Sequence, residues 1–149
     1  MVTIPVSATT ADVRLRFNSN TGAPSGQVAE LEVWGVAAPN PDLTVTAVSW
    51  TPTSPNETSA ITLSATVRNA GTATAGATTV NVNLGGAVVG NAAVASLAAS
   101  ATATVTLNIG TRPMGNYSVS ATVDPTNTII EQSDSNNTLT RLETARRHT

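Results

Sequence analysis

The sequence predicts an all-β protein, an immunoglobulin-like seven-stranded β-sandwich preceded by a two-strand fragment of a second β domain. Three observations carry this. Apolar and polar residues alternate in run after run, as where Ile61, Leu63, Ala65 and Val67 interleave with Thr62, Ser64, Thr66 and Arg68. That is the period of a strand with one buried face. Turn signals of Gly, Pro, Asn and Asp recur every ~8–12 residues, the spacing of a sandwich of short strands. Charged residues make up 11% of the chain, against roughly 25% in ordinary soluble domains. Thr, Ser and Asn supply the polarity instead, and β-branched Thr suits strands.

In chain order, Val13, Leu15 and Phe17 alternate with charged neighbours, and Leu31 and Val33 alternate with Glu30, Glu32 and Trp34. Two strands cannot bury both faces, so residues 1–35 read as the C-terminal end of another domain. Residues 36–41, VAAPNP, are small and Pro-rich and read as a semi-rigid linker. The complete domain is expected over 42–142, with 143–149 a mobile tail. Its first strand has Leu43, Val45 and Ala47 on one face, then switches phase to Val48 and Trp50, which implies a bulge or a crossing between sheets. Pro52 and Pro55 mark a turn. The Ile61 strand breaks at Asn69-Ala70-Gly71, where Asn69 and Gly71 are expected to supply positive φ. Val80, Val82 and Leu84 face inward, and Gly85-Gly86 makes a tight hairpin turn into a short strand around Val88-Val89. The Ala-rich stretch 92–103 holds at most one helical turn. Further strands are carried by Ala103, Val105, Leu107 and Ile109, and by Tyr117, Val119, Ala121 and Val123. Ile129-Ile130 and Leu139–Leu142 form the last strand region, parted by a polar run.

Composition excludes several classes. The net charge is −2 and the basic residues are not clustered except at Arg146-Arg147, so a nucleic-acid footprint is lacking. No run of about 18 apolar residues exists to span a membrane. The opening MVTIPVSATTADV has no basic segment followed by an apolar core and is not read as a signal peptide. Without Cys there are neither disulfides nor thiolate metal sites.

From Pro41 to about Leu142 the chain resembles the CARDB domain, the cell-adhesion-related domain found in bacteria. The carrying residues are PDLTVTAVSWTPTSP, ITLSATVRNAGTATAG, VASLAAS and the closing YSVSATVDPTNTIIEQSDSNNTLT. At Ala99-Ser100 the family often has Gly after the Leu, so a less tight turn is expected there. The earlier stretch ADVRLRFNSNTGAPSGQVAELEVWG resembles the last strands of discoidin-like (factor 5/8 type C) carbohydrate-binding modules. The pairing resembles the accessory region of secreted actinobacterial glycoside hydrolases. The resemblance implies an extracellular, non-catalytic accessory module, a spacer or adhesion domain of a carbohydrate-active protein. Its partners would be the neighbouring domains and polysaccharide. The alternative is a carbohydrate-binding module that contacts polysaccharide directly through Trp50 or an outer sheet face.

Few residues are candidates for chemistry. His148 is the single histidine and sits in the tail, where rigid positioning is lacking. Glu30 and Glu32, about 7 Å apart along a strand, meet the separation of glycosidase carboxylates, yet they read as a wet outer face. Asp124, Asn127, Glu131, Asp134 and Asn136, with Asn137, form the one dense cluster of oxygen ligands. Calcium takes six to eight oxygens of these types, but the spacing is not that of an EF-hand. The competing reading is that Asp and Asn shape a turn. The expectation is therefore no cofactor, with Ca²⁺ the one candidate, and no enzyme activity of the chain itself.

Overall fold

The computed structural model describes residues 4–6, 12–14, 16, 22, 32–33 and 38–143. The chain divides into two units, Met1–Ala38 and Pro39–Thr149. Of the two strands expected in the first unit, Val13 and Val33 are described and lie exposed. Leu15, Phe17, Glu30, Leu31 and Trp34 lie outside the described residues, as do His148 and the tail from 144 onward.

The second unit carries seven strands: β1 (Leu43–Thr51), β2 (Ile61–Asn69), β3 (Thr78–Leu84), β4 (Ala87–Val94), β5 (Thr102–Gly110), β6 (Tyr117–Val123) and β7 (Thr138–Glu143). They form two antiparallel sheets, one in the order β1-β2-β5 and the other β4-β3-β6-β7. This is the immunoglobulin-like sandwich expected from the alternation. Its core is the inward row of each strand: Leu43, Val45 and Val48 of β1, Ile61, Leu63, Ala65 and Val67 of β2, Val80 and Val82 of β3, and Val119, Ala121 and Val123 of β6. Small and β-branched side chains dominate because two sheets about 10 Å apart leave room for only one interdigitated layer.

The phase switch in β1 is a bulge. The β1–β2 register shifts between Val45 and Ala47, so Val45 pairs with Val67 while Ala47 pairs with Thr66. Thr46 is the extra residue, and Ala47, expected inside, is exposed. The bulge returns Val48 to the core without moving the strand to the other sheet.

The Gly85-Gly86 turn is the tight hairpin expected, while the Ala-rich stretch and the turn at Ala98–Ala101 differ from expectation. Gly85 and Gly86 form the two-residue β3–β4 turn with φ of 60° and 88°, positive at both positions as a type I′ hairpin requires. The strand after it runs on to Val94, so Ala92 and Ala93 are strand residues and the Ala-rich stretch forms no helix. The turn at Ala98–Ala101 is tight rather than loose. Ala101 N–H donates to Ala98 O at 3.1 Å, and Ser100 stands at φ 66° while its N–H donates to Asn69 O at 2.9 Å. Ser here takes the left-handed conformation that glycine adopts at no steric cost.

Ser100→Gly is therefore expected to stabilise the protein by about 0.5–1 kcal/mol, or a few degrees in melting temperature. Thermal unfolding of the variant beside the parent checks it; an unchanged or lower melting point contradicts it.

Candidate functional site

At one end of the sandwich, here the near pole, β1 and β7 begin and β2, β4 and β6 end. The chain enters the domain there through Asn40–Asp42, and the connections after β2 and β6 close over that segment from two sides. Among the described residues this pole holds most of the buried polar side chains: Asn69, Asp124 and Asn137.

Asn69 is the last residue of β2 and is 0% exposed. Its Oδ1 accepts from the N–H groups of Asp42 and Gly71, each at 3.1 Å. Its Nδ2 donates to Ala73 O at 2.8 Å and Leu97 O at 2.9 Å. A buried amide has two donors and two acceptor sites, and here all four are used. One side chain thereby joins the start of β1, the 71–73 bend and the stretch after β4. The positive φ expected of Asn69 and Gly71 is absent: neither is among the left-handed residues. Gly71 is required for closeness instead. A Cβ there would lie 2.5 Å from Asn40 O, Asp42 N and Pro41 C, all backbone atoms that cannot move aside.

The incoming segment is bound along its whole length. Asn40 O accepts from the Thr72 and Ala73 N–H groups at 3.0 and 3.3 Å and from Gln132 Nε2 at 2.9 Å. Pro41 O accepts from Gln132 N–H at 2.9 Å, and Asp42 O from Ala70 N–H at 2.6 Å. Asp42 Oδ1 accepts from Asn136 Nδ2 at 3.0 Å. Asn40 and Pro41, expected as part of a linker, are thus held within the second unit.

The acidic loop 124–137 sits on the other side of this segment. Asp124, at φ 44°, is 3% exposed. Its Oδ1 accepts from the hydroxyls of Thr78 (3.0 Å) and Thr128 (2.9 Å), and its Oδ2 from Ile129 N–H (2.8 Å). Burial works against its ionisation, but the bonds from Ile129, Thr128 and Thr78 outweigh it and hold the carboxyl below its ordinary range. Glu131 goes the other way. Burial pushes its carboxyl up despite the bonds it accepts from Leu43 N–H and Asn137 Nδ2, and the charges of Asp124 and Asp134 add to the rise. Asn127, at φ 50°, and Asp134 are exposed and meet each other at 3.3 Å.

Asp124 and Glu131 therefore spend both oxygens on protein donors that shape the loop, as an Asp/Asn turn does. Asn136 Oδ1 and Asn137 Oδ1 are buried without a hydrogen-bond partner. Among the described residues no three His, Cys, Asp or Glu side chains stand close enough to hold a metal ion together. The loop's buried oxygens without a protein partner are thus the two neutral amides of Asn136 and Asn137.

Trp50 lies at the opposite, far pole of β1. It is half-buried and packs against the core. Arg141 of β7 lies over its ring with the guanidinium carbon 5.2 Å from the centroid, and Arg141 Nη1 donates to Val48 O at 3.1 Å. A cation on the ring face is itself a favourable contact, so that face is occupied by the protein. Tyr117 is also half-buried, its hydroxyl donating to Pro113 O at 2.8 Å. No helix among the described residues is long and apolar enough to cross a membrane.

Known proteins share this fold. The CARDB family model matches residues 40–141. The crystal structure of the CARDB domain of the PF1109 protein from Pyrococcus furiosus, in complex with di-metal ions, is similar at 29% identity and a TM-score of 0.63, covering 72% of this chain and 94% of that one. A solution structure of a domain from a candidate cell surface protein of Methanosarcina acetivorans is similar at 29% identity and a TM-score of 0.64, covering 73% and 95%. No curated protein matches the chain.

Two outcomes are expected. Asn69→Ala removes the acceptor of the Asp42 and Gly71 N–H groups and the donor to Ala73 O, while Leu97 O keeps its bond from Ala75 N–H at 2.9 Å, and should cost about 3–4 kcal/mol. Asn69→Asp keeps the shape but turns a charge on the Ala73 and Leu97 carbonyls, so it should cost at least as much; urea unfolding in which Asp is tolerated better than Ala contradicts the assignment. Asp124→Ala should cost about 2–3 kcal/mol at pH 7, and Asp124→Asn less, since an amide oxygen still serves Ile129. The folded carboxyl lies below its unfolded value. Its contribution is therefore complete above about pH 3.9 and is lost as pH falls through the lower folded value. Asp124→Asn should remove that part of the acid sensitivity, which stability measured from pH 7 to pH 2 would show.

Proposed function

The chain belongs to the CARDB family across residues 40–141, and from that premise we propose that it is a non-catalytic accessory module, a spacer or adhesion domain, of a secreted or surface-attached bacterial protein that acts on carbohydrate. The observation that carries the reading is the placement of the two ends of the domain. β1 begins beside the start of β7, as the bonds from Leu43 N–H to Glu131 and from Thr44 Oγ1 to Asn136 O (3.1 Å) require. β7 then runs alongside β1, so that Arg141 reaches Val48 and Trp50. The chain therefore enters at the near pole and leaves at the far one. A nine-residue strand such as β1 rises ~30 Å, which is the separation such a module imposes between its neighbours on either side.

Other features support a scaffold. The clamped Asn40–Asp42 segment fixes the direction in which the chain enters. The outward rows of β2 and β5, Thr62, Ser64, Thr66, Thr102, Thr104 and Thr106, keep one sheet face wet with little charge. The cell-surface attribution of the Methanosarcina relative supports an extracellular location. A parent glycoside hydrolase and a discoidin-like neighbour rest on the wording of residues 11–35. Direct polysaccharide binding through Trp50 is disfavoured because Arg141 covers the ring.

Insoluble-polysaccharide pulldown decides between spacer and binding module: the chain should remain in the supernatant with α- and β-glucans, and retention displaced by soluble oligosaccharide overturns the spacer reading. The Pyrococcus relative is described with two metal ions. In this chain the two buried carboxylates of the acidic loop, Asp124 and Glu131, are committed to protein donors. The melting temperature should therefore be the same in millimolar calcium as in chelator, and a chelator-reversible rise overturns the metal-free reading.

A further inference from the structure

The opposite placement of the two ends has a mechanical consequence for the strands that carry them. β1 pairs with β2 antiparallel along its whole length, Leu43 with Asn69 at the near pole and Thr51 with Thr62 at the far one. β7 pairs with β6 in the same way, from Thr122 with Thr138 to Tyr117 with Glu143. A pull on the chain before β1 is directed along β1 and out of the near pole. A pull on the chain after β7 is directed along β7 and out of the far pole. Each terminal strand is then drawn lengthwise past its neighbour, and because ladder bonds run perpendicular to the strands they are strained together. Where two strand ends at the same pole are pulled apart, the bonds open one after another.

The terminal strands also hold each other. β1 and β7 share no backbone ladder, but side chains close the seam between them along its length. Asn136 Nδ2 binds Asp42, Thr44 Oγ1 binds Asn136 O, and Arg141 binds Val48 O and lies on Trp50. Lengthwise motion of β1 against β7 breaks all of these at once. At the near pole the Asn40–Asp42 clamp adds the bonds from Thr72, Ala73 and Gln132.

We propose that the domain is a tension-resisting element, in which force applied across its two ends loads the β1–β2 ladder, the β6–β7 ladder and the β1–β7 side-chain seam in shear. This goes beyond a passive spacer and does not depend on what the neighbouring domains are. The natural setting is a chain fixed at one end to a surface and at the other to a bound polymer.

Single-molecule pulling tests it on the full chain. The sequence has no Cys, so introduced cysteines are unique handles. Pro39→Cys with Leu142→Cys loads the domain in shear, and Pro39→Cys with Thr74→Cys, both at the near pole, unzips β1 from the end of β2; all three residues are exposed. Forced rupture reports the unfolding barrier rather than equilibrium stability. The expected result is a rupture force severalfold higher in shear than in unzipping, with melting temperatures alike for both pairs. Equal forces overturn the proposal. Handles at the two chain termini give the same shear loading with no substitution inside the domain, should a cysteine disturb the fold. Arg141→Ala, at an exposed β7 position, should lower the shear force and leave the unzipping force unchanged; an unaltered shear force overturns the seam's part in it.

Discussion

The side chain of Asn69 is the interaction on which the near pole depends. Each of its four hydrogen-bonding positions meets a different backbone group, and those groups belong to three segments: Asp42, the adjoining bend at Gly71 and Ala73, and Leu97. The backbone of Asn69 extends the same junction, its N–H donating to Ala101 O and its carbonyl accepting from Ser100. Loops at a sandwich end face the problem of buried backbone groups that no ladder can satisfy. A single amide with two donors and two acceptors solves it where strands have stopped. Leaving any of its partners unpaired costs more than the bond itself contributes, so this junction is either complete or strongly destabilising.

The rest of the architecture is built on what that junction permits. With Asn69 holding Asp42 and Gly71 lacking a Cβ, the incoming backbone lies directly on the 71–73 bend. From there β1 must reach the core with Leu43 and Val45 and still place Val48 inside, which the bulge at Thr46 achieves. On the other sheet Asp124 does for the β6 end what Asn69 does for β2, using a carboxylate because the groups around it are all donors: two hydroxyls and an N–H. The choice of amide in one place and acid in the other is dictated by the partners. Ala73 and Leu97 present carbonyls, whereas Thr78, Thr128 and Ile129 present hydrogens.

Strand identity was legible because it is written in a local period of two, and the core rows of β2, β3 and β6 were readable from alternation alone. The bulge in β1 was legible as a phase switch, though the residue left outside, Ala47, was not, since a bulge can be placed at either side of the switch. The near pole was only partly legible. Asn69-Ala70-Gly71 is legible as a turn, and its local sequence points to positive φ, which neither Asn69 nor Gly71 adopts. The actual reason lies in Asp42, Leu97 and the Asn40–Asp42 backbone, which are distant in sequence and carry no local mark. The left-handed residue bonded to Asn69 is Ser100, where the resemblance to CARDB domains marks a missing glycine and the chain keeps glycine's conformation. The acidic cluster shows the same limit: its composition suits a cation, while the partners that occupy its carboxylates become visible only in three dimensions.

A scaffold reading of the whole domain requires that the segment through which the chain enters be as firmly held as the core, and amide hydrogen exchange measures that directly. The N–H groups of Asp42, Leu43, Gly71, Thr72, Ala73 and Gln132 are all donors within the clamp. They should exchange as slowly as those of Val67 and Val80 in the centre of the two sheets, with opening free energies near that of global unfolding. Exchange of the clamp amides at rates typical of exposed loops, while the strand amides stay protected, would contradict the account.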